Sequence, residues 1–268
     1  MDKKKRKIFL TVWLGLILVI LIAIFAVGIP ADRAETVKEV MRDGVLHEEN
    51  KIKFFGLEVN PAVISAYTVT GILLSAALLI RLFAIPRFTE KPGRFQCVIE
   101  KCVEFFADMA GKNSPHKTDF IGAYIFCAGV YIFFGTIFEL FGFQAVTTTG
   151  RSVALPAPIA DINGAIAMGV MTYGVILCAG LFTNGLRGAL GVLKDFSLPI
   201  SMSFRLFGAL LSGLLVTELV YYYTALSFVL PTIVGVLFTL LHALIQTYVL
   251  TTLASVFYGE AVEPKKEG

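Results

Sequence analysis

Charge is scarce in this sequence. Only 16% of its 268 residues are Asp, Glu, Lys or Arg, whereas a soluble domain carries about a quarter. Histidine occurs three times and tryptophan once. The four cysteines, Cys97, Cys102, Cys127 and Cys178, form no CxxC pair and have no histidine at metal-ligand spacing. They read as small apolar residues with free thiols, so neither a metal nor a disulfide framework is expected. No HExxH, no Ser–Lys or Ser–His pair in context and no intramembrane Asp pair occurs, so no catalytic residue and no cofactor is expected. The net charge of +3 is small and its basic residues sit beside apolar runs, which gives no sign of nucleic-acid binding. No internal repeat of the kind seen in secondary transporters is visible.

Apolar residues fill what charge leaves: 56% are hydrophobic, and mean hydropathy is +0.78. Residues 1–28 open with five Lys/Arg and continue as an apolar run long enough for a membrane span. The segment reads as an N-terminal anchor or a signal-like segment. Residues 29–60 are mixed and rich in acids, among them Asp32, Glu35, Glu39, Asp43, Glu48, Glu49 and Glu58, and read as an external segment. Further apolar runs cover 61–85, 119–143, 164–186, 199–225 and 231–259. Open strand edges cannot face lipid and the runs are too long for barrel strands, so each is expected as a helix. The expected class is an all-α polytopic membrane protein with about six transmembrane helices. Arg81, Arg87, Lys91 and Arg94 follow the second run and Arg187 and Lys194 the fourth. The positive-inside rule places both loops, and the C-terminal tail, in the cytoplasm.

Residues 94–112 differ in kind. Phe95, Val98, Ile99, Cys102, Phe106 and Met109 recur at helical spacing, with Glu100, Lys101, Glu104 and Asp108 between them. This predicts an amphipathic helix lying in the membrane interface.

Charged and polar side chains inside a span are costly, about 2.5–3.5 kcal/mol for a central charge, and mark ion or substrate paths. The candidates are Arg205, Glu218, Glu139, His242, Gln246 and Asn184. Arg205 lies about 10 Å into its run, too deep for an easy snorkel to the cytoplasm. Gly235, Thr239, His242 and Gln246 fall on one helical face, and the Gln246 amide oxygen can accept from a guanidinium. Glu218 lies thirteen residues beyond Arg205, about 20 Å along a helix, too far to neutralise it. A helix bundle binding an anionic substrate through Arg205, as a stand-alone secondary transporter does, is one function this pattern admits.

A resemblance points elsewhere. "SMSFRLFGALLSG" resembles the "LRLFGN" helix of the subunit a family of F-type ATP synthases. "LIQTYVLTTLASVFYGEA" is similar to that family's last helix, "LIQAFVFTxLTxxYL", with Gln246 on the motif glutamine. "LPAPIADINGAIAM" resembles "PxPTADxNxTLAM", with Asp161 and Asn163 matching. "FFGLEVNPAVISAYTVTGIL" is similar to the segment opening the family's first helix. The likeness covers about residues 52–260, so residues 61–268 are expected as the channel domain.

The resemblance implies a non-catalytic stator channel of the F0 sector. Its two long C-terminal helices would face a ring of c subunits, with subunit b as a second partner, the F1 sector reached indirectly, and the bacterial-type plasma membrane around it. Arg205 would stand between two offset half-channels, attract the ring carboxylate and block leakage, coupling H+ or Na+ flow to rotation and ATP synthesis. Gln246 is implied as its partner, with Glu218, Glu139 and His242 along the path and Asp161 and Asn163 at the half-channel entrance. Ala209 stands where the family has Asn after RLFG. Leu214 stands where it often has Glu, with Glu218 one turn on. Thr239 stands where it has His or Glu, with His242 one turn inward, and Thr136 stands where it has Asn, three residues before Glu139.

Overall fold

A computed structural model describes residues 51–264, apart from 55, 116, 117, 147, 149, 151 and 223–229, together with residues 15, 18 and 22. Most of the expected anchor and external segment therefore lies outside the described residues. Gly15, Leu18 and Ile22 within it are helical.

Six α-helices are present among the described residues: α1 (Pro61–Leu79), α2 (Arg94–Asn113), α3 (Thr118–Phe138), α4 (Ile162–Leu193), α5 (Ser197–Tyr222) and α6 (Leu230–Val262). Among the described residues, four helical stretches are long and apolar enough to cross a bilayer, namely Pro61–Arg87, Thr118–Phe141, Ile162–Leu193 and Ile233–Val262. The run expected at 199–225 is the helix α5, which is interrupted by serines, Arg205 and Glu218. Two short hairpins were not expected. β1 (Ile52–Phe54) pairs antiparallel with β2 (Leu57–Val59), and β3 (Gln144–Val146) with β4 (Ser152–Ala154).

The chain forms two units. One comprises Met1–Leu46 with Ser212–Leu237, and the other His47–Leu211 with Phe238–Gly268. Of the first, the described residues are the three N-terminal helical positions, the distal part of α5 and the beginning of α6.

In the second unit, α1 starts where the chain supplies the right chemistry. At the head of α1, Asn60 accepts the Ala62 amide at 2.9 Å while Pro61 occupies the first turn, where its missing N–H costs nothing. Beyond Leu79 the helix widens to a π-turn over Ile80–Ala84 and tightens to a 3-10 turn over Ile85–Arg87. α2 lies against α3. A Cβ on Gly129 would stand 2.7 and 2.8 Å from Phe106 ring atoms and 3.1 Å from Thr251 Cγ2, so this glycine lets α2, α3 and α6 converge. The aromatic ring and the threonine methyl fill the space a side chain would take.

α4 is two helices joined at a break. Gly185 has φ 61° and ψ −152°, a region in which a side chain is strained. There the chain folds back, so that a Cβ on Gly188 would meet the Gly180 carbonyl oxygen. Residues 162–184 make about 35 Å of straight helix, enough to span a hydrocarbon core. The turn is held from outside: Asn184 Nδ2 donates to the carbonyls of Ala261 and Glu263, both at 2.9 Å. The first lies in the last turn of α6 and the second just beyond its end, where carbonyls have no partner within the helix. Asn184, expected among the intramembrane polar residues, is thus the cap of α6.

Three apolar clusters form the interior. One gathers Phe106, Met109, Ile121, Ile125, Ile176 and Met202 with their neighbours. A second joins Ala128, Ile132, Ile159, Met168, Leu206 and Leu250. The third, Ile52, Val69, Phe138 and Leu155, packs β1 and the residue after β4 against the middle of α1 and the end of α3.

Candidate functional site

α5 crosses α4 closely, since a Cβ on Gly169 would meet Ser203 Oγ and stand 2.9 Å from the Pro199 carbonyl oxygen. Ser203 satisfies its own hydroxyl on that same carbonyl at 2.7 Å, so no polar group is stranded at the crossing. Met202 and Leu206 are 2% and 1% exposed and fix which face of α5 packs inward. Arg205 is thereby turned outward beside Phe204, and both are exposed. Among the described residues Arg205 has no ion-pair or hydrogen-bond partner within the chain.

α6 shows the opposite arrangement. Ala243, Gln246 and Leu250 are buried, Thr239 and His242 are half-buried, and Leu240, Leu241, Leu244 and Ile245 are exposed. The helix turns its polar stripe inward and Leu240, Leu241 and Leu244 outward, the reverse of a soluble amphipathic helix. His242 lies 5.8 Å, centroid to centroid, from the Phe238 ring. Gln246 is 6% exposed, and its Oε1 has no hydrogen-bond partner. The guanidinium–amide bond expected between Arg205 and Gln246 is therefore not formed in this structure. The two residues are linked instead through their neighbours, because Leu206 and Leu250 share one apolar cluster.

Around the β3–β4 hairpin a second polar group collects. Glu139, half-buried in the 3-10 turn that ends α3, accepts the backbone N–H of Ala157. Thr136, on the preceding turn, is fully buried and donates to the Ile132 carbonyl at 2.7 Å. Its hydroxyl is occupied, and it offers nothing to Glu139. Asp161 occupies the N-cap position of α4 but makes no side-chain cap bond. It accepts from Asn60 Nδ2 at 3.3 Å instead. Asn163, in the first turn of α4, is exposed. Sequence reasoning missed Asn60, although the Asn-Pro pair at a helix start is the signal that marks it. Glu218 lies on the distal part of α5, and its side chain is outside the described residues. No group of three or more potential metal ligands occurs among the described residues.

The arrangement defines a helical membrane protein of several spans, in which one long helix presents on its outer face an arginine with no partner among the described residues. The family model described as ATP synthase A chain matches residues 66–259, and the chain belongs to that family. Relatives include the chloroplastic ATP synthase subunit a of Bigelowiella natans, 31% identical over 186 residues that cover 63% of this chain and 73% of the relative. The ATP synthase subunit a of Cereibacter sphaeroides is 25% identical over 211 residues, covering 74% and 80%. Both Arg205 and Gln246 fall inside the family match, as do Glu139, Asp161, Asn163, Glu218 and His242.

Proposed function

We propose that this chain is the ion-translocating stator of an F0 sector, passing protons along two offset half-channels against a ring of c subunits. The observation that carries the reading is the outward aspect of Arg205. A cation inside a span costs several kcal/mol unless an anion or water meets it. No carboxylate of the described residues does so, and its helix turns it away from the interior. A carboxylate brought by a moving partner fits that requirement. An arginine guanidinium does not release its proton in proteins. It can therefore attract a ring carboxylate and favour its deprotonation, yet cannot pass a proton from one half-channel to the other.

Gln246 and His242 support the reading as polar groups on the inner stripe of α6, with Glu218 further along α5. Glu139, Asp161 and Asn163 form the outer approach. Subunit b and the F1 sector complete the assembly. Residues 1–28 serve as a membrane anchor or signal-like segment, 29–60 face outward, and the C-terminus lies in the cytoplasm of a bacterial-type cell.

In inverted vesicles carrying the whole complex, Arg205→Gln should leave assembly intact and abolish ATP-driven acidification. Arg205→Lys should also fail, because an ammonium lacks the planar fork and can lose its proton when desolvated. Acidification that persists in Arg205→Gln, or that requires added Na+ in the unaltered complex, overturns the proposal.

A further inference from the structure

We propose that the turn between α1 and α2 binds the headgroups of anionic phospholipids. This rests on α1 crossing the bilayer and is independent of the ion-transport reading. Within residues 81–94 stand four cations, Arg81, Arg87, Lys91 and Arg94, against one carboxylate, Glu90. All four cations are exposed. The next carboxylate along the chain, Glu100, is held at 2.7 Å by the Gln96 amide, which reduces its competition for a cation.

The turn is a built structure. Gln96, 9% exposed, accepts the Thr89 amide at 3.1 Å and donates to the Thr89 carbonyl at 2.9 Å. Thr89 in turn bonds the Lys91 carbonyl through its hydroxyl at 3.0 Å. These bonds fasten the middle of the turn to the first turns of α2 and so limit how far Arg87, Lys91 and Arg94 can stray from one another.

Apolar side chains flank the cations on both elements. Leu82, Phe83 and Ile85 are 56%, 57% and 41% exposed at the end of α1, and Phe95 and Val98 are 60% and 68% exposed at the start of α2. Cation and exposed hydrocarbon side by side is the pairing that holds a protein surface at an anionic leaflet. Arginine also grips a phosphate with two parallel hydrogen bonds. The charge selects the occupant, since a zwitterionic headgroup would leave the excess cations uncompensated.

The test uses the purified whole complex in phosphatidylcholine, with and without phosphatidylglycerol. Photoactivatable phosphatidylglycerol should crosslink within residues 80–101, and native mass spectrometry should show phosphatidylglycerol retained over phosphatidylcholine. Retention should fall as salt is raised. Each cation changed to glutamine should lower it about fivefold, so Arg87→Gln/Lys91→Gln/Arg94→Gln should lose roughly 100-fold. Lys194→Gln, an exposed cation at the end of α4, should change nothing. Crosslinking outside this segment, salt-independent retention, or an equal loss in Lys194→Gln overturns the proposal. Full displacement by inorganic phosphate, which has the charge without acyl chains, assigns the site to a free anion and overturns it as well.

Discussion

Asn60 Nδ2 and Asp161 Oδ1 lie 3.3 Å apart, joining residues 101 positions distant in the chain. The same asparagine caps α1 through its oxygen, so one side chain fixes the start of one helix and the carboxylate that begins another. Asn60→Ala removes both bonds. A lost N-cap costs about 1 kcal/mol, and freeing Asp161 should slow transport beyond what that loss explains. Asn60→Ser should recover the cap and not the reach to Asp161. Thermal stability of the complex and ATP-driven acidification, measured on both variants, separate the two roles.

Gln246 carries the sharpest conflict between stability and use. A buried polar atom left unpaired costs about 1–3 kcal/mol. Gln246→Leu, similar in volume, should keep the subunit as stable as before or more so while transport falls. A variant that pumps normally would show that the amide serves packing alone.

Packing at Gly129 yields a prediction that needs no channel. Gly129→Ala forces a methyl group to within 3 Å of the Phe106 ring, an overpacking that costs about 1–3 kcal/mol. Adding Phe106→Leu should return part of that loss, since contacting residues are non-additive. A detergent-melting series on the single and double variants measures the coupling.

Glu139→Leu and Glu218→Leu should each slow acidification without preventing assembly. If they serve one path, the double variant should lose less than the sum of the two. His242→Ala should do less harm than Arg205→Gln. Should His242→Ala stop transport while Glu218→Leu leaves it normal, the path follows α6 and not the distal part of α5.

The membrane helices were legible in the sequence because long apolar runs have one solution in lipid. α1, α3, α4 and α6 start within three residues of the expected runs, and α2 spans nearly the same residues as the helix expected at 94–112. The facing of α2 was legible only in part. Phe106 and Met109 are buried as the stripe requires, whereas Phe95, Val98 and Cys102 stay exposed because only the C-terminal half has a helix to pack on. The hairpins escaped notice, since three-residue strands are too short to show alternation. Arg205 was visible as a misplaced cation from its residue type, but its outward aspect was not. That depends on Met202, Leu206 and Gly169 settling which side of α5 meets α4. Asp161 matched a motif, yet the identity of its partner required two distant helix starts to come together.

The cap that Asn184 places on α6 also imposes an order on biosynthesis. Its two acceptors are made 77 and 79 residues later, so α4 can insert and reverse at Gly185, bridged by the Tyr173 hydroxyl donating to the Val192 carbonyl at 3.2 Å, long before α6 adds its bonds. A nascent chain paused ahead of Ala261 would hold this turn by the Tyr173–Val192 bond, with the Asn184 amide unbonded to its eventual acceptors. Completion of the last helix therefore adds the final two bonds to the fourth, and a quality-control protease acting at this turn should distinguish finished chains from unfinished ones.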